Sequence, residues 1–449
     1  MWRKIVVMLP INLALLGCGT SETVVDSHPQ TRGENVEAEP IGQDSERASA
    51  ITPEEEMNQD VARLIQKATQ LEVLGKDQES LEAWQKIVGR IEAEYGESAW
   101  QVTSARLSLQ AAQQRQAFEV ADRVKALEIN ELEQQAEIEI LAGKVSVATQ
   151  CLESAKTLAE EVWGVDSHIT LNVAYQLAAC YDRGEFYQES FSLIEEVVQQ
   201  RQQVLGSVHP DTLEAVSLAA AVATNLGRFD DAIGFGTEAV EVAELLEGGE
   251  SLELAKHKSN LGVTLVAAQK YEPALAYLES ALEVRTRLLG SSTVDVAHSE
   301  YNLGQAVLAQ GDAVAAGKRF QKVCDILETF PNERLSLAQA KLQLGTIALM
   351  QNDLGMAELE YREAKETLES LPKNNPALVA ETCFKLGFVL GKQGEYVAAE
   401  AELRRARSIQ QELFAPDHPE LAKTEEIYLL VQGKLNSIRT GRLPEGVQR

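Results

Sequence analysis

One spacing constrains this chain more than any bulk property does. Small residues at Ser80, Ala121, Ala148, Ser190, Ala232, Ala274, Ala316, Ala357 and Ala399 stand 41 or 42 residues apart, except for one step of 27 between Ala121 and Ala148. Self-similarity at a fixed period means stacked copies of one supersecondary unit, and it overrides the domain count that 449 residues would otherwise suggest.

Other positions keep the same step. Leu177, Leu261, Leu303, Leu344 and Leu386 lie thirteen residues before the small residue, and the last four are followed by Gly262, Gly304, Gly345 and Gly387. Seven residues after it come Ala155, Ala239, Ala281, Ala364 and Ala406. Sixteen after it, where a helix must stop, stand Gly96, Gly164, Gly206, Gly248 and Gly290, with Pro331, Pro372 and Pro416 near the equivalent ends of later units. Each unit reads as a helix, a tight turn and a second helix. Gly and Ala at fixed places let two helices approach closely, since bulk forced into such a contact costs about 1–3 kcal/mol. Aromatics at only 5% of the chain agree with an all-α fold and exclude a β-rich one.

The order Leu-Gly, small residue, Ala resembles the tetratricopeptide repeat, and the stretched unit resembles the kinesin-light-chain subtype. The connections "LGSVHPDTL" (Leu205–Leu213) and "LFAPDHPEL" (Leu413–Leu421) resemble that subtype's linkers. The resemblance covers about residues 57–435 and implies an α-solenoid of about nine helix-turn-helix repeats, closed by a polar capping helix over Pro419–Gly433. One place departs from it: "LEINELEQQAEIEIL" (Leu127–Leu141) reads as a truncated repeat or as one long helix, with Glu128 where a small residue is expected.

In the resembled family the first helices of the pairs line a concave groove that binds peptides through Asn side chains just before the Leu. The matching positions here are Asn260 and Asn302, and an amide can grip a peptide backbone because it donates and accepts at once. The alternative is that both only satisfy neighbouring helices or face water. Helical spacing adds Val263, Tyr301 and Gln305 to the peptide-binding groove, with Ser259, Val266, Leu308, Thr346, Leu349 and Phe388 around them.

The two ends differ from the repeats. Arg3 and Lys4 precede an apolar run, Ile5–Leu16, too short to cross a bilayer of about 30 Å but suited to an export signal. Leu15-Leu16-Gly17-Cys18 resembles a bacterial lipobox, which makes residues 1–17 a signal peptide and Cys18 the lipidation site; the alternative is an ordinary secretory signal. Gly19 after the Cys implies, by the same resemblance, the outer membrane facing the periplasm. Residues 18–56 are too polar to fold and read as a tether reaching about 35 Å by random-coil scaling. Residues 436–449 read as a disordered tail.

No chemistry stands out. A formal charge of −28 repels phosphate backbones and excludes nucleic acid as a partner. His257 and His298 could share a surface, but no Cys, Asp or Glu completes a metal set with them. Cys151, Cys180, Cys324 and Cys383 fall at inward helical positions, as buried thiols or as a bridge in an oxidising compartment. "GFG" at Gly234–Gly236 sits inside a helical pattern without the context of a phosphate loop. The reading is therefore a membrane-anchored scaffold for a protein or peptide, not an enzyme, with no cofactor; the alternative is a self-assembling structural protein of the cell envelope.

Overall fold

A computed structural model describes residues 53–371 and 375–440. The signal peptide, Cys18 and most of the tether lie outside the described residues. Eighteen α-helices follow one another, joined by short turns, with one 3-10 turn at Pro331–Glu333 and no strand among the described residues. In chain order they are α1 (Pro53–Val73), α2 (Asp77–Tyr95), α3 (Trp100–Gln116), α4 (Val120–Leu141), α5 (Val145–Trp163), α6 (His168–Arg183), α7 (Tyr187–Val204), α8 (Pro210–Asn225) and α9 (Phe229–Glu247). Then come α10 (Leu252–Ala267), α11 (Tyr271–Leu289), α12 (Val294–Gln310), α13 (Ala313–Leu327), α14 (Arg334–Met350), α15 (Leu354–Glu369), α16 (Pro376–Gln393), α17 (Tyr396–Leu413) and α18 (Pro419–Thr440).

Among the described residues two compact units result, 53–246 and 247–440, each an α-solenoid of tandem helix hairpins. The hairpins are α1/α2, α4/α5, α6/α7 and α8/α9 in the first and α10/α11, α12/α13, α14/α15 and α16/α17 in the second. Helices α3 and α18 stand outside this pairing; α3 packs on α2, and α18 packs on α17.

The repeat columns explain the packing. Ala148, Ala232, Ala274, Ala316, Ala357 and Ala399 are completely buried, and so are Ala155, Ala281, Ala364 and Ala406. A Cβ added at Gly345 would lie 2.6 Å from the Tyr361 ring, and one at Gly262 would lie 2.6 Å from Leu278. The Leu-Gly column is thus the point where the first helix of a hairpin meets the large side chain four residues after the small one on the second helix.

Every hairpin turn also contains one residue with positive φ: Gly75, Gly143, Glu185, Gly227, Gln269, Gly311, Asn352 and Gly394. Their spacing matches the sequence period. Glu185 and Gln269 occupy that left-handed conformation despite carrying a Cβ, which costs each about 1 kcal/mol relative to Gly.

The register expected around Ala121 is corrected: that side chain is exposed, and residues 120–141 form one long helix. At the edges, α1 begins at Pro53, ahead of the expected 57, and α18 continues through Thr440, so residues 436–440 are helical. Gly234–Gly236 lies within α9. Among the described residues no helix is long and apolar enough to cross a membrane.

Candidate functional site

In the second unit the first helices of the hairpins, α10, α12, α14 and α16, place one polar side chain each just before Leu-Gly. These are Asn260, Asn302, Gln343 and Lys385, a column continuing two repeats beyond the pair of Asn read from the sequence. The signal that finds the last two is the same Leu-Gly register; what conceals them is the change from amide to ammonium.

The column is knit across helices. Asn302 Nδ2 donates to Ser259 Oγ of α10 at 3.3 Å. Gln343 of α14 hydrogen-bonds the Tyr301 hydroxyl of α12. Lys385 Nζ of α16 donates to Thr346 Oγ1 of α14 at 3.2 Å, and Thr346 shares a 3.2 Å hydrogen bond with the Tyr361 hydroxyl. Each rung therefore reaches back to the preceding first helix, which fixes side-chain positions along the face.

Lys385 is only 6% exposed and pairs with Glu381 at 2.8 Å. Burial works against its charge, but the Glu381 carboxylate and nearby Tyr361 outweigh it and leave the ammonium pKa above its ordinary value. Burial pushes the Tyr301 and Tyr361 hydroxyls up, so both remain neutral donors. The face presents neutral amides and hydroxyls together with one neutralised cation.

The expected groove residues divide. Asn260, Asn302 and Val263 are half-buried and reachable from solvent, as is Thr346. Tyr301 and Gln305 are a correction: both are buried, Tyr301 edge-on to Phe320 in the core and Gln305 donating from Nε2 to the Tyr301 hydroxyl at 3.0 Å. They form the floor beneath the face, not an open wall. Ser259, Val266, Leu308, Leu349 and Phe388 are likewise buried. One feature of the floor is unusual: Gln305 is 5% exposed, and its Oε1 accepts no hydrogen bond. Buried side-chain acceptors are almost always satisfied.

The remaining candidates separate. His257 lies 3.3 Å from Glu253 and His298 lies 3.7 Å from Glu333, two independent contacts. No group of His, Cys, Asp or Glu that could hold a metal occurs among the described residues. Cys151, Cys180, Cys324 and Cys383 are all free thiols, and burial pushes Cys324 and Cys383 up to about 12, which keeps them unreactive.

The tetratricopeptide-repeat family matches the sequence at residues 214–287 and 253–329, and again at 379–420. Over those residues the chain carries tetratricopeptide repeats. The matched residues include the hairpins that carry Asn260, Asn302 and Lys385. Solved structures of similar tetratricopeptide fold include a putative kinesin light chain from Podosopora anserina, 21% identical, with 45% of this chain and 97% of that one covered and a TM-score of 0.41. A tetratricopeptide repeat protein from Parabacteroides merdae is 16% identical, covering 68% of this chain and 99% of that one at a TM-score of 0.46. A Rap protein complexed with competence and sporulation factor is 15% identical, covering 81% of this chain and 99% of that one at a TM-score of 0.49. No curated protein matches the sequence. Tetratricopeptide arrays are typically non-enzymatic scaffolds, and the fold suggests protein–protein interaction.

Proposed function

We propose that this chain is a membrane-tethered scaffold that holds a protein or extended peptide along the face formed by α10, α12, α14 and α16. The observation that carries the reading is the column of half-buried amides, Asn260, Asn302 and Gln343, at one register position of successive first helices. A peptide backbone brings N–H donors at regular intervals, and Asn260 and Asn302 can accept and donate to it without reading its side chains. Val263 supplies an apolar contact beside them. In this reading the groove is the concave face of the array, as the family resemblance implies.

The tether completes the proposal. Cys18 carries the lipid, the residues between it and α1 span the distance to the first helices, and the scaffold works at the outer membrane facing the periplasm. Acyl chains contribute about 0.8 kcal/mol per buried methylene, so more than one gives stable anchoring. Cys18→Ser should move the protein from the membrane to the soluble fraction, and an unchanged distribution would contradict the anchor.

A photo-crosslinker at Val263 tests the site, with one at exposed Ala276 of α11 as the control. We expect Val263 to capture a species that Ala276 does not, and Asn260→Ala with Asn302→Ala to abolish that capture at an unchanged melting temperature. Equal capture at both positions, or capture indifferent to the double variant, would refute the site.

A further inference from the structure

We propose that the outward face of α4 is a second docking surface, fitted to a basic amphipathic helix of a partner protein. Val120, Val124, Leu127, Ile138 and Leu141 are 79%, 57%, 50%, 58% and 59% exposed. Their positions fall on one stripe at helical spacing, so the helix offers a line of apolar groups to solvent. Its other side is already used: Ile129 is buried in the same core as Ala155 and Ala159 of α5, and Ala136 in the same core as Ala148 and Leu152. Surface helices of a solenoid are apolar on one side; α4 is apolar on two, the pattern of a helix covered by neighbours on both.

The period accounts for the missing cover. Ser80 and Ala148 are about 16 residues nearer than two full periods would place them, which is the length of one helix of this array. The chain drops a helix here and keeps the apolar face that such a helix would have covered.

Charge selects the occupant. Exposed Glu128 and Glu131 lie between the two apolar ends of the stripe. The cations of this segment are engaged elsewhere: Arg123 pairs with Asp77, Lys125 with Glu161 at 2.7 Å, and Lys144 with Glu139 at 3.1 Å. A second copy packed antiparallel would set Glu131 against Glu131 near the two-fold axis, and like charges so placed are unfavourable. A helix with apolar ends and Lys or Arg in its central turns matches both features.

The probe is a synthetic amphipathic peptide of about 18 residues, long enough to span the stripe, with Leu at its ends and Lys in its central turns. Its acidic twin carries Glu in place of Lys. Binding to the full-length protein is followed by fluorescence anisotropy at about 0.15 M salt, where loosely attracted cations are screened. We expect the Lys peptide to bind, and Val124→Asp with Ile138→Asp to weaken it about tenfold or more, a loss of at least ~1.4 kcal/mol. Leu429→Asp, at an exposed position of α18, should leave binding unchanged. Glu128→Lys with Glu131→Lys should reverse the preference toward the acidic twin, which keeps the proposal testable if the Asp variant is less well folded. Binding insensitive to both double variants overturns the proposal. So does a dimer in light scattering that Val124→Asp with Ile138→Asp dissolves, because the occupant would then be a second copy.

Discussion

Residues 252–413 and residues 100–141 obey the same chemistry with different results. In the first stretch four hairpins repeat without interruption, and the small-residue columns are sealed. In the second, α3 stands without a hairpin partner, α4 runs 22 residues, and Ala121, the nominal small residue, faces solvent. Regular repeats let each helix satisfy its neighbours by register alone. Where a helix is dropped, the chain must find particular contacts to hold the edge, and it does so with Ser104, His209, Arg115 and Trp163.

Those contacts differ in kind from the columns. His209 is buried, and its Nδ1 accepts the Asp211 backbone N–H at 3.1 Å, so the proton sits on Nε2 and is donated to Ser104 Oγ at 2.7 Å. The Trp100 ring meets the imidazole edge-on at 5.6 Å. At the other end of α3, Arg115 lies over the Trp163 ring and pairs with Glu72. A cavity of about 510 Å³ lies between α3 and the α5–α6 connection, lined by Leu107, Gln110, Gln114, Trp163 and His168 among others. The edge is held by polar and aromatic groups around a void, and the regular array by interlocking Ala, Gly and large apolar side chains.

The largest expected effect tests whether the columns are the packing determinant only where the period holds. Ala274→Leu should lower stability by about 1–3 kcal/mol through overpacking, while Ala121→Leu, at the matching position of the interrupted segment, should change it by less than about 0.5 kcal/mol. Thermal or urea unfolding of the two variants decides it, and equal losses would erase the distinction.

A smaller effect separates the two regions by pH. Burial holds the His209 pKa below its ordinary value, with Asp211 pulling it upward and Arg201 reinforcing the depression. Burial depresses His168 as well, opposed by Asp211 and Glu72. The folded state therefore favours neutral rings. Their contribution is complete above the unfolded value of about 6.5 and is lost as pH falls below it, by at most ~1.4 kcal/mol per pH unit for each ring. Hydrogen exchange should show α3 loosening between about pH 7 and 5 while α16 stays protected, and His209→Gln should remove most of that difference. Equal behaviour of the two helices would contradict the assignment.

The smallest effect concerns turns common to both units. Glu185→Gly and Gln269→Gly should each raise stability by about 0.5–1 kcal/mol, by relieving the left-handed conformation. Unchanged or lower melting temperatures would show that the side chains at these turns contribute more than the strain removes.

The columns were legible because identical neighbours repeat the same steric demand, so Leu-Gly, Ala and the turn positions carry it in plain sight. The functional face was legible only in part. Asn260 and Asn302 follow from register, but Gln305 occupies the same register as Val263 and is buried where Val263 is half-exposed. The difference arises because Gln305 bonds Tyr301, whose ring is held against Phe320 on the next helix. The bond is local, four residues along one helix, but it forms because Phe320 on the second helix of the hairpin fixes the Tyr301 ring, and that identity leaves no mark in the spacing. The Ser104–His209 contact, between residues 105 positions apart, was hidden for the same reason.

Amide hydrogen exchange resolved to single residues across 116–145 examines the difference between the two regions at its source. The structure requires continuous protection from Arg123, whose amide donates to the Glu119 carbonyl, to Leu141, with no rapidly exchanging amide from Leu127 to Gln135. A run of fast amides inside that stretch would mean two short helices and a restored period, and the uncovered face of α4 would not exist as described.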